Sequence, residues 1–286
     1  MAVSAVKDHA SQKRRNAIMR FMIYFFLIVI TAFMLLPFLW MLSSSFKENK
    51  DVFGFPIQWI PANPRWQNYV DIWTEIPLLT FIKNTAKITI VVTLLQLFTS
   101  SFAAYAFAKM QFKGKNVLFL GYIATIAVPW QAYMVPQFMM MSSWGLNNTH
   151  LAIMCLQAFS AFGVFLMKQF YEGVPSELCE AARIDGLTEY GIWWHIMLPL
   201  SLPALSTLTI FTFVNTWNDY FLQLVMLTDQ PTWTLPLAVA NMQGEMSSDF
   251  GLIMAGAALA SIPIIVVFIA FQKYFTQGIA MGAVKG

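Results

Sequence analysis

The chain has 286 residues, of which 58% are hydrophobic and only 11% are charged. Soluble domains carry about 25% charged residues, so this composition excludes an ordinary soluble protein and points to a bilayer. The net charge of +3 does not suggest nucleic acid, and two cysteines, Cys155 and Cys179, make neither a disulfide framework nor a zinc spacing.

Residues 1–20 form a basic segment with Lys7, Lys13, Arg14, Arg15 and Arg20. The uncharged run 21–45 that follows is long enough to cross about 30 Å of hydrocarbon, and too long for a cleaved signal peptide. It reads as a first span with a cytoplasmic N-terminus, kinked at Pro37. Residues 46–84 are a polar connection with Pro56, Pro61, Pro64 and Pro77, and Trp59, Trp66 and Trp73 suit an interfacial belt. A second span covers 85–108, and Lys109, Lys113 and Lys115 mark an inside loop. Residues 116–167 carry no Lys, Arg, Asp or Glu. As one helix they would run about 78 Å, so two spans are expected, 117–139 and 150–168. The turn is Trp144 to Thr149, with Asn148 or Thr149 as the cap.

The stretch 170–199 is the polar centre of the chain, with five acids and Arg183 between Glu172 and Glu189. Ser176 suits a helix N-cap, and Glu177 suits the positive end of the dipole. Leu178, Ala181, Ala182 and Asp185 share one helical face, and the two alanines allow close approach. Gly186 stands where a helix end needs positive φ. Thr188 can cap a second helix, Glu189 to Met197, ended by Pro199. From spacing alone this is an amphipathic helix–bend–helix loop without a named partner. A fifth span follows at 201–226, then an outside loop, 227–249, a sixth span at 250–272, and a tail, 276–286. Twelve of the seventeen Lys and Arg fall in segments read as inside, which supports six spans with both ends cytoplasmic.

The chain lacks a P-loop: Gly114-Lys115 is followed by Asn116 and has no earlier glycine at the required spacing. No catalytic constellation and no metal-ligand set is visible, and His9, His150 and His195 are far apart. The polar feature inside a span is Asn215, Thr216, Trp217, Asn218, Asp219 and Tyr220, with Gln223 one turn on. A carboxylate at the bilayer centre costs on the order of 2.5–3.5 kcal/mol on insertion scales, so Asp219 is expected to face a watery path or the bundle interior. Amides and aromatic faces suit sugars, and equally they can pin helices together. Trp130, Gln131 and Gln137 in the third span present the same two readings.

Glu180-Ala181-Ala182, three residues, Gly186, nine residues and Ile196-Met197-Leu198-Pro199 together resemble the EAA loop of permease subunits of bacterial ABC importers. The segments FKGK (112–115), GVFLMKQF (163–170), FTFVNTWNDY (211–220) and GAVKG (282–286) are similar to the maltose-type, or carbohydrate, branch of that family. Cys179 departs from the pattern, where a polar or charged residue is expected. The resemblance implies an all-α membrane protein with the type I ABC importer permease fold, a six-helix domain at 21–275 whose loop 170–199 is the coupling helix. It assigns ATPase coupling to Glu180, Ala181, Ala182, Asp185, Gly186, Ile196, Leu198 and Pro199. It also implies a second homologous permease, two ATPase subunits that carry ATP and Mg2+, an extracytoplasmic solute-binding protein, a sugar as cargo and a bacterial-type inner membrane as the site. This chain itself would need no cofactor and do no chemistry. The rival readings are the same architecture for a glycerol phosphate or similar solute, a secondary transporter, which should show inverted repeats, and a membrane-embedded enzyme.

Overall fold

In hydrocarbon no water is present to pair with backbone N–H and C=O groups, and a helix pairs them within one segment. A computed structural model describes residues 2–242 and 249–283, with side chains for 16–242 and 249–273; these residues form helices and no strand. Residues 243–248 of the expected outside loop, and Val284, Lys285 and Gly286 of the terminal GAVKG segment, lie outside the described residues. The chain divides into two units, whose described parts are 2–72 with 249–258 and 73–242 with 259–283.

In the first unit, helix α1 (Ala2–Ser44) takes in the basic segment and continues through Pro37. Beyond the basic segment it is apolar all round, and every residue from 16 to 39 is exposed, as in a lipid-facing helix. A short helix α2 (Asn49–Val52) and the start of α3 (Asn68–Glu75) follow. Asn68 is the centre of a clasp here: its Nδ2 donates to the carbonyls of Ser45 and Lys47, each at 2.9 Å. A Cβ on Gly251 would lie 2.4 Å from the Lys47 carbonyl, so only glycine fits. Lys47, expected in a solvated loop, is instead buried, with its ammonium 4.3 Å from the ring centroid of Trp40.

The second unit is built on α4 (Leu78–Lys109), which packs chiefly against α8 and α12. Its remaining helices in order are α5 (Lys115–Ala124), α6 (Met134–Ser143), α7 (His150–Gln157), α8 (Ala161–Glu172), α9 (Glu177–Ile184), α10 (Glu189–Ile192), α11 (Leu198–Leu200), α12 (Leu202–Trp217), α13 (Phe221–Met226) and α14 (Leu235–Asn241). The last helix, α15 (Phe250–Ala283), belongs to both units. Two buried clusters lie along α4. Ile88 and Val92 pack with α7 and α13, whereas Ala104 and Tyr105 pack with α8, α9 and α12.

Among the described residues, four helical segments are long and apolar enough to cross a membrane: Asn16–Ser44, Leu78–Lys109, His150–Glu172 (α7 and α8 together) and Phe250–Lys273. A fifth is reached if Glu189–Leu200 and Leu202–Trp217, bent by 79° at Ser201, count as one span. The expected third span, 117–139, is not one helix. Pro129 has no N–H to continue the ladder and forces Val128 into an extended conformation (φ −85°, ψ 115°), so α5 and α6 are separated by short 3₁₀ turns. The expected fifth span, 201–226, likewise breaks at Asn218 to Tyr220 between α12 and α13. The turn at 144–149 forms as the sequence suggests, with Gly145 and Asn148 at positive φ and Thr149 Oγ1 accepting from Ala152 N.

Close approach of α8 to α4 depends on one glycine. A Cβ on Gly163 would sit 2.4 Å from Ser100 Oγ and 3.0 Å from Ser100 Cβ. Small residues are what let helices meet without a hydrophobic drive in lipid. Gly163→Val should therefore cost about 1–3 kcal/mol or more by overpacking. The check is the melting temperature of the detergent-solubilised protein; an unchanged value would show that the α4–α8 contact relaxes freely.

Candidate functional site

The loop 170–199 is folded onto the helices of the second unit rather than loose. Cys179 and Ala182, one helical turn apart on α9, are both buried among Tyr105, Met167, Tyr171 and Met197. The Cys179 thiol lies 3.8 Å from the Met197 sulfur, and burial pushes its pKa above the usual thiol value. An apolar residue therefore fits where the family pattern suggested a polar one. Of the face formed by 178, 181, 182 and 185, only Ala182 is buried within the chain, and Leu178, Ala181 and Asp185 are exposed. Glu180 is also exposed. Leu178 and Ile184 (87% exposed) are apolar residues exposed on α9, whereas Tyr190 stacks on Phe102 of α4 and Trp194 lines a groove beside α4 and α12.

Gly186 has φ +83° and turns the chain between α9 and α10, as the sequence predicts. Thr188 caps α10 through Gly191 N. Ser176 does not cap α9: it is helical (φ −70°, ψ −24°), not extended as a cap requires, and its hydroxyl faces Lys109 Nζ at 3.5 Å. Lys109 also donates to the Val174 carbonyl, which ties the loop to the end of α4. Pro199 does not end the second helix either. Trp193–Met197 widens into a π-helical turn immediately before α11, and the chain bends only at Ser201. In a regular α-helix the Pro199 ring would strike the carbonyl of His195, and the wider turn relieves that clash. Ile196 and Leu198 pack against the core cluster, while Pro199 is exposed.

Sequence reasoning missed the group that fixes this loop. Glu189 accepts from Arg183 through both oxygens, Nε–Oε1 at 2.7 Å and Nη2–Oε2 at 3.2 Å, and also from the hydroxyl of buried Tyr105 on α4. The Arg183 hydrogen bonds hold the Glu189 carboxyl below the usual range. Arg183 and Glu189 are six apart across a glycine bend, a spacing that no helical or strand periodicity pairs.

The second candidate is a cavity of about 530 Å3 between α4, α7, α12 and the broken segment around Trp130. Asn215 and Asp219 line it, as do Trp130, Gln131 and Gln137. Trp217 does not: it is buried, and its indole N–H donates to the Ala260 carbonyl at 2.9 Å, so it joins helices. Asn218, the C-terminal residue of the α12 turn, and Tyr220, packed on the other cluster, do not line it either. Gln157 Nε2 donates to Asp219 Oδ2 at 2.7 Å, and Leu222 N donates to Oδ1 at 3.2 Å, which fixes the carboxylate on the wall. Gln96 spans the floor, donating to the Gln157 carbonyl (2.8 Å) and accepting from Thr212 Oγ1 (2.9 Å). Gln96 and Gln157 escaped the sequence reading; the available signal was a lone amide inside each of the expected spans 85–108 and 150–168.

Residues 9–281 match the family model described as binding-protein-dependent transport system inner membrane component. The chain is 35% identical over 253 residues to the arabinooligosaccharides transport system permease protein AraQ of Halalkalibacterium halodurans, covering 87% of this chain and 91% of that protein. It is 35% identical over 255 residues to the melibiose/raffinose/stachyose import permease protein MelC of Bacillus subtilis, with 88% and 91% covered. Among solved structures it superposes on a bacterial ABC transporter involved in import of the acidic polysaccharide alginate, with a TM-score of 0.79, 25% identity, and 92% and 98% of the two chains covered. The all-helical architecture is thus that of type I ABC permeases, with four or five apolar helices. The chain belongs to the family of binding-protein-dependent transport system inner membrane components.

Proposed function

We propose that this chain is one permease subunit of an ATP-driven importer of a sugar or oligosaccharide. It pairs with a second, homologous permease. Two ATPase subunits, which hold ATP and Mg2+, dock on the loop 170–199 from the cytoplasm, and an extracytoplasmic binding protein delivers the sugar. That AraQ belongs to an arabinooligosaccharide transport system and MelC to melibiose/raffinose/stachyose import supports the sugar. The observation that carries the coupling role is the outer side of α9: Leu178 and Ile184 stay exposed beside Glu180, while Cys179 and Ala182 are locked to α4 and the core. A patch with apolar centre and charged margin is what a docked subunit buries. Closing of the ATPase dimer then moves α9 as a body and, through the Glu189 network, α4, so that the path opens to the other side.

The chain crosses a bacterial-type inner membrane six times with both ends inside, the third crossing being the broken segment at Pro129. A cysteine placed at Gln58 should react with an impermeant thiol reagent outside intact cells, and one at Lys113 should not. The background is Cys155→Ser, with Cys179 already buried. Labelling at 113 and none at 58 would reverse the orientation. The test of the function is purification of the tagged chain from its native membrane: an ATPase subunit and a second permease should accompany it, and their absence would defeat the reading.

A further inference from the structure

We infer that the cavity beside α12 selects uncharged saccharides and rejects those bearing carboxylates, such as uronates. The inference rests on the sugar-import reading above and narrows it. Five amide side chains, among them Gln131, Gln157 and Asn215, face the cavity, with aromatic rings that include Trp130 and Phe211. Sugar hydroxyls pair with amides, and the C–H faces of a pyranose or furanose lie on rings. No Lys, Arg or His is among the lining residues, and the one carboxylate is Asp219.

Asp219 accepts from Gln157 Nε2 and Leu222 N, both donors to a carboxylate oxygen, so it is fixed on the wall. A uronate brought here would lose its water, find no cation from this chain's wall, and meet a second carboxylate in a medium of low dielectric. Selectivity then comes from a repulsive element as much as from attraction. The superposed importer carries an acidic polysaccharide, so the shared fold does not decide the charge of the cargo, and the wall residues must.

The test uses the complete transporter, with its second permease and ATPase subunits, in nanodiscs. Equilibrium binding of radiolabelled raffinose, arabinotriose and trigalacturonate to the complex is measured without binding protein, beside ATPase stimulation by binding protein loaded with each. At least one neutral sugar should bind about tenfold or more tighter than trigalacturonate, a difference of about 1.4 kcal/mol. Asp219→Asn should shrink that ratio toward one, and Asn215→Asp, which adds a carboxylate without changing size, should widen it. Assembly of each variant is checked on the same column. Equal or tighter binding of trigalacturonate to the unaltered complex overturns the inference while leaving sugar import standing. So does stimulation by sugar-loaded binding protein with no saccharide bound by the complex. No binding and no stimulation by any saccharide removes the sugar reading itself.

Discussion

Gly186→Val is expected to insert in the membrane yet lose at least nine-tenths of ATPase retention on pull-down. The reason is conformational and not steric: a Cβ at Gly186 would meet nothing within 4 Å, but φ is +83°. Left-handed backbone costs an ordinary residue roughly 1–2 kcal/mol and a β-branched one more. The native bend holds α9 and α10 at the angle that lets Arg183 reach Glu189 with two hydrogen bonds. If valine moves the bend back to negative φ, that pair separates and the exposed side of α9, with Leu178 and Ile184, is displaced. Gly186→Asn supplies the control, since asparagine tolerates the left-handed region, and it should retain most binding. Glu180→Ala, at an exposed position mid-helix, should weaken the same contact less. Normal retention by the valine variant would mean that the ATPase docks elsewhere.

The second large effect is expected at Glu189. Its pair with Arg183 is about a third exposed on both sides, so the ion pair alone contributes only about 0.2–1 kcal/mol. Tyr105 is different: it is 2% exposed, and its hydroxyl loses its acceptor in Glu189→Ala. A buried unpaired hydroxyl costs about 1–3 kcal/mol, so this term dominates. Glu189→Ala should therefore lower stability by roughly 1–3 kcal/mol and uncouple ATP hydrolysis from transport. Tyr105→Phe should cost less, and adding it to Glu189→Ala should recover part of the loss, because it removes the orphaned hydroxyl. The thermal melts of the three variants decide; full additivity would place the two residues in separate networks. The sign of the pH dependence follows from the depressed Glu189 carboxyl. Its contribution is complete above the unfolded value of about 4.3 and is lost as pH falls through the lower folded value. Melting temperature should thus lose this component only below about pH 4, and Glu189→Gln should remove that acid sensitivity.

Much of the fold was legible because hydropathy and glycine carry local information. The spans around α1, α4 and α15 follow from uncharged length alone, and Gly186, Gly145 and Thr149 act where turn and cap chemistry require them. What failed were features set by neighbours. Ser176 has the residue type of a cap, but its backbone is helical and its hydroxyl turns to Lys109. Pro199 has the residue type of a terminator, but a π-helical turn absorbs it. The buried side of α9 is Cys179 and Ala182 because the helix meets Met197 and Tyr105, which leaves Leu178 and Ile184 exposed. In the cavity, Asp219 and Asn215 stood out as polar residues in an apolar run. Gln96 and Gln157, from helices far apart in sequence, join them only in three dimensions, and Trp217 turned away to Ala260.

Uptake by the reconstituted complex tests the central claim most directly. Proteoliposomes hold this chain, its second permease and the ATPase subunits, with ATP and Mg2+ on the ATPase side and the binding protein, loaded with a radiolabelled neutral oligosaccharide that it binds, on the other. The account predicts sugar accumulation against its gradient that requires ATP and the binding protein, and that Gly186→Val abolishes. Accumulation that is no faster with ATP than without it, or that Gly186→Val leaves intact, would contradict it.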